Sequence, residues 1–89
     1  MITESEKRII REVSEKYSVK RVLLFGSSIT CEKESWDIDL AVEGLSPADF
    51  FKYYGDLMLK LSKPVDVIDL SRPSKFTKMV KQEGILLYG

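Results

Sequence analysis

Trp36-Asp37-Ile38-Asp39-Leu40-Ala41-Val42 alternates along its whole length. Trp36, Ile38, Leu40 and Val42 fall on one side and Asp37, Asp39 and Ala41 on the other, the period of two that marks a strand with one buried face. Asp37 and Asp39 therefore share a face. Two adjacent carboxylates repel, and burying them without a counter-charge costs several kcal/mol. A divalent cation relieves both problems. Mg²⁺ suits such a pair, because it takes one or two protein carboxylates and completes its shell with water and phosphate oxygens. The plainer alternative is a solvated sheet edge, and a short motif alone does not decide between the two.

Upstream, Val19 to Phe25 reads as a strand whose continuous apolar run, Val22-Leu23-Leu24-Phe25, predicts burial on both faces. Gly26-Ser27-Ser28 ends it. Glycine allows close backbone approach, and amides with serine hydroxyls can cradle phosphate oxygens, although the same residues also make an ordinary turn. Before that strand, Thr3 and Glu6 form a capping box for a helix running to about Tyr17, with Ile9, Ile10, Val13 and Tyr17 as its apolar stripe.

Downstream, Gly44 closes the second strand. Ser46-Pro47 opens a helix whose predicted buried side is Phe50, Phe51, Tyr54, Leu57, Met58 and Leu61. Val65 to Leu70 is a third strand and carries Asp66 between valines. That residue is either an outward-facing position on a half-exposed sheet or a third carboxylate beside the pair. Asp69, out of phase with Asp66, should cap the turn at Ser71. A short helix over about Ser74 to Glu83 stops at Gly84. Its Lys75, Lys78 and Lys81 make either a solvated face or a patch for an acidic partner. Ile85-Leu86-Leu87-Tyr88 is an edge strand or a packing tail. The pattern predicts an α/β (α+β) fold: a small mixed sheet with helices packed on one face, in a single domain over residues 1–89.

Composition removes several functions. Lys plus Arg and Asp plus Glu number 14 each, so no net charge draws the chain to nucleic acid or to an anionic membrane. There is no histidine and Cys31 is the only cysteine, which excludes histidine-dependent triads, an internal disulfide and four-ligand zinc sites. No apolar run approaches the roughly 20 residues of a membrane span, and the charged start Met1 to Arg8 is unlike a signal peptide. A cytoplasmic protein is expected. A domain of 89 residues buries only about 60–65% of its unfolded surface, so a partner or ligand is expected to add stability.

Taken in order, Leu23-Leu24-Phe25-Gly26-Ser27, then Asp37-Ile38-Asp39-Leu40-Ala41-Val42, then Val65-Asp66-Val67-Ile68-Asp69-Leu70, and the ending Glu83-Gly84-Ile85-Leu86-Leu87-Tyr88, resemble the minimal nucleotidyltransferases of the DNA polymerase β superfamily. The match is closest to the antitoxin members of HEPN/MNT toxin–antitoxin systems and extends over nearly the whole chain. The resemblance implies that Gly26, Ser27 and Ser28 hold the triphosphate of ATP. It implies that Asp37, Asp39 and Asp66 bind two Mg²⁺ ions, and that Asp66 also helps deprotonate an acceptor hydroxyl. The acceptor it implies is a tyrosine of a helical HEPN toxin, which would receive AMP. The chain departs from the antitoxin pattern in Ser28-Ile29-Thr30-Cys31, where that group often has Arg-Gly, and in Trp36, where it usually has Ser. These departures motivate a second expectation: a non-catalytic antitoxin that neutralises its partner by contact alone. Direct nucleic-acid binding is not expected, and an oligomer is compatible with the sequence.

Overall fold

The computed structural model describes residues 2–26 and 37–89. Its elements run α1 (Glu4–Lys16), β1 (Arg21–Phe25), β2 (Ile38–Glu43), α2 (Pro47–Lys60), β3 (Val65–Asp69), α3 (Lys75–Glu83) and β4 (Ile85–Tyr88). The sheet order is β3-β2-β1-β4. β1 pairs antiparallel with β2 and with β4, while β2 and β3 are parallel. A parallel pair needs a crossover connection, and α2 supplies it.

Local chemistry sets the boundaries. The Thr3 hydroxyl accepts from the Glu6 amide at 3.1 Å and the Glu6 carboxylate accepts from the Thr3 amide at 2.7 Å, the reciprocal cap the sequence predicts. Ser46 caps α2 with Pro47 in its first turn, and Ser74 caps α3 through the Thr77 amide. Gly44 turns with φ +97°, and a Cβ there would lie 2.8 Å from the Lys20 backbone nitrogen, so only glycine fits. The Ser71 amide donates to Asp69 Oδ1 at 2.9 Å, as expected for the turn. The apolar ending is an edge strand rather than a loose tail.

The main core lies between one sheet face and helices α1 and α2. It gathers Ile10, Val13, Val22, Leu24, Ile38, Leu40, Val42, Tyr53 and Leu57. α3 lies on the opposite face, where Val80 packs with Leu23, Ala41 and Leu70. The expected mixed sheet is present, but the helices divide: two cover one face and the short third crosses part of the other. β1 is accordingly buried on both sides, as its unbroken apolar run requires.

One expected packing face is corrected. Phe51 and Met58, which the sequence pattern places on the buried side of α2, are 76% and 62% exposed, and Leu59 is 87% exposed. Tyr53, Leu57 and Leu61, at i, i+4 and i+8, occupy the inward arc instead, flanked by half-buried Phe50 and Tyr54. At 3.6 residues per turn, positions 51 and 58 fall roughly a quarter-turn beyond that arc. An apolar arc wider than the buried one concealed the inner face of this helix.

Candidate functional site

The Asp-x-Asp strand pairs on each side with a neighbour that contributes to one surface. In the parallel ladder Asp39 is the register partner of Asp66, and residues so paired point to the same side of the sheet. In the antiparallel ladder Asp39 is the partner of Phe25, and Gly26 follows directly. Asp37 precedes β2 and is exposed. Asp39 alternates with Ala41, so it belongs to the face that α3 only partly covers. Asp66 is exposed, as an outward-facing position would be, and the strand register also sets it beside Asp39.

Gly26 fits against this carboxylate. Its φ is +70°, and a Cβ built there would stand 2.6 Å from Asp39 Oδ2. Any side chain would both strain the backbone and push Asp39 aside. The sequence marks Gly26 as a turn residue. Its contact with Asp39 depends on the β1–β2 register and has no local sequence signal.

Charge accumulates at Asp39. Burial first, then Asp66, then Asp37, hold its carboxyl above the usual aspartate range. Asp66 Oδ1 also accepts from the Tyr54 hydroxyl at 3.4 Å, and burial followed by the Asp66 charge pushes the Tyr54 hydroxyl up. Tyr54 was not anticipated next to the carboxylates. The one available clue was its place on the helix that connects the two Asp-bearing strands.

The donor set matches a hard divalent cation in type. It consists of carboxylate oxygens whose mutual repulsion is already expressed in Asp39. Among the described residues, no three His, Cys, Asp or Glu side chains form a group that could hold a metal ion, so the structure does not gather Asp37, Asp39 and Asp66 into the expected three-carboxylate ligand set. Mg²⁺, which leaves most of its shell to water and phosphate, takes only one or two protein carboxylates. Ser27 and Ser28, expected on phosphate, lie outside the described residues, as do Cys31, Lys33 and Trp36. Lys81 belongs to the scaffold: its Nζ lies 3.3 Å from Glu43 Oε2, and Glu43 also pairs with Arg21 at 3.0 Å.

A mixed four-stranded sheet, with carboxylates facing one way from its parallel pair and a glycine turn beside them, defines a nucleotidyltransferase-type fold. The family description "Polymerase beta, Nucleotidyltransferase" matches residues 7–89, and the chain belongs to that family. No curated protein sequence matches the chain significantly. Solved structures give the same fold. A toxin–antitoxin MntA–HepT structure superposes with TM-score 0.73 at 24% identity, over 98% of this chain and 73% of that one. A toxin–antitoxin structure with AMP-PNP gives TM-score 0.76 at 24% identity, over 93% and 73%. A tri-AMPylated HEPN toxin of Shewanella oneidensis in complex with its MNT antitoxin gives 0.72 at 24% identity, over 94% and 70%. Among the described residues no helix is long and apolar enough to cross a membrane.

Proposed function

We propose that this chain is an adenylyltransferase antitoxin that moves AMP from ATP to a hydroxyl, a tyrosine in the reading we favour, of a HEPN-type partner toxin. The observation that carries the proposal is the Asp39–Asp66 register pair with Gly26 packed against Asp39. Family membership and the superposed toxin–antitoxin structures, one with AMP-PNP and one with an AMPylated toxin, support it.

Asp37, Asp39 and Asp66 would hold Mg²⁺, which supplies charge neutralisation of the triphosphate oxygens. The chain's own part is positional. Gly26 leaves room for a phosphate chain to approach Asp39. Asp66, held by the Tyr54 hydroxyl, accepts the proton of the acceptor hydroxyl. The hydroxyl oxygen forms its bond to the α-phosphorus, the bond from that phosphorus to the bridging oxygen breaks, and pyrophosphate leaves.

The test is transfer of label from ATP's α-phosphate to a co-expressed HEPN partner. Label should appear on the partner, and Asp37→Ala combined with Asp39→Ala should remove it. Persistent labelling by the double variant would remove these residues from the mechanism.

A second reading, neutralisation by contact alone, is favoured by the apolar side chains that α2 leaves at the surface, Phe51, Met58 and Leu59. It expects the double variant to neutralise its toxin as well as the parent chain does.

A further inference from the structure

Beside the carboxylates, between the end of β1 and α3, lies a cavity of about 230 Å³ lined by Phe25, Gly26, Phe76, Met79, Val80 and Glu83. Val80, 1% exposed, is part of its buried base, while Phe76 and Met79, 48% and 46% exposed, flank its opening. The Phe25 and Phe76 rings meet edge to face, 5.8 Å between centroids and 80° between planes. Phe76, Met79 and Glu83 follow one another at i, i+3 and i+7 and so share one side of α3.

We propose that this cavity receives the base of the nucleoside triphosphate, with Phe76 and Met79 packing on the base and Glu83 accepting a hydrogen bond from its exocyclic amine. The proposal rests on the reading above and specifies the part of the substrate that reading leaves unassigned. Three observations carry it. Gly26 is a wall of the cavity and also abuts Asp39, so a ligand with phosphates at the carboxylates has its other end within reach of the cavity. The volume lies below the roughly 300–1,000 Å³ typical of pockets that enclose a whole drug-sized ligand, which suits one ring system of a larger molecule. The lining combines aromatic and thioether surface with a single carboxylate at the margin. Aromatic faces stack on any base, and a carboxylate acceptor favours a base edge that presents an amine over one that presents a carbonyl. The expected preference is therefore adenine over uracil.

The test is calorimetric titration of the full chain with ATP, UTP and inorganic tripolyphosphate, each with Mg²⁺. Phe76→Ala should weaken ATP binding about tenfold or more and leave tripolyphosphate unchanged, as expected for loss of one stacking surface. Glu83→Ala should bring the ATP and UTP affinities together. Phe76 is half exposed, so its truncation should leave the fold intact, which a thermal melt checks. Unchanged ATP binding in Phe76→Ala, or equal losses for ATP and tripolyphosphate, overturns the base site while leaving the carboxylate site standing. A parent chain that binds neither ATP nor tripolyphosphate overturns both. If Phe76→Ala weakens only the complex with the partner protein, the cavity is a protein contact and the proposal is wrong.

Discussion

In the proposed site, Asp39 would set stability against activity. Its carboxyl is held above the usual aspartate range by burial, Asp66 and Asp37, so the folded chain binds a proton there more readily than the unfolded chain does. The folded state then loses stability as pH rises through the interval between the unfolded and folded pKa values. Asp39→Asn removes that loss. At neutral pH it should be more stable than the parent chain by about 0.5–2 kcal/mol, as for other relieved charge conflicts, seen as a higher thermal midpoint, and the gain should shrink as the pH is lowered through the interval. A gain that stays constant with pH would mean that the carboxylate repulsion is not its source. A second pair of residues gives an asymmetric prediction. Ser14 Oγ donates to the Ile10 carbonyl at 2.6 Å and lies 2.8 Å from the Tyr53 hydroxyl. The serine proton is already committed to Ile10, so the tyrosine is the donor. Burial pushes the Tyr53 hydroxyl up to about 12, against a smaller downward pull from the Ser14 hydrogen bond. Tyr53→Phe removes one hydrogen bond and should cost about 0.5–1.5 kcal/mol, whereas Ser14→Ala strands a buried hydroxyl and should cost about 1–3 kcal/mol. Paired urea melts give the order directly, and a larger loss for Tyr53→Phe would reverse the assignment of donor and acceptor.

At the scale of elements, α2 has a glycine that the fold does not require. A Cβ on Gly55 would meet nothing within 4 Å, and its φ is not positive. Gly55→Ala should therefore stabilise the isolated chain by about 0.8–1 kcal/mol through helix propensity alone, measured as a shift in the denaturation midpoint with unchanged slope. No gain, or a loss, would place an unseen constraint on the helix. Gly55 lies on the same outer face as Phe51, Met58 and Leu59, the face that sequence periodicity misassigned. The strands were more legible. A period of two leaves no choice about which residues share a face, so Asp37 and Asp39 could be put together from the sequence alone, and the unbroken run Val22 to Phe25 indicated burial on both sides. Asp66 was legible only as a choice between two settings, because one sequence does not state strand order. α2 misled because its uncharged residues spread over more than half its circumference, with Asp49, Lys52, Asp56 and Lys60 confined to the rest, and only the contact of Tyr53, Leu57 and Leu61 with the sheet distinguishes inside from outside. The closeness of Gly26 to Asp39, and the crossing of α3 over the second sheet face, depend on the register and order of strands distant in sequence.

For the whole molecule these features combine into one measurement. A chain of 89 residues has a small core, so its midpoint responds strongly to any ligand that binds only the folded state. At a ligand concentration about one hundred times Kd the gain is about 2.7 kcal/mol. In a domain of this size each kcal/mol moves the midpoint by about 4–8 °C, so the expected shift is roughly 10–20 °C. Mg²⁺ with a non-hydrolysable ATP analogue should raise the midpoint of the parent chain by that order, and the metal or the nucleotide alone should do much less. Asp39→Asn should start from a higher midpoint without ligand and show almost no shift with it, so its curve and that of the parent should cross as ligand is added. The crossing separates two roles that a simple loss of binding would confound. A variant that had merely unfolded would start lower, and a carboxylate that contributed only to folding would leave the ligand shift intact. If the two curves instead rise in parallel, the nucleotide is held somewhere other than the Asp39–Asp66 surface.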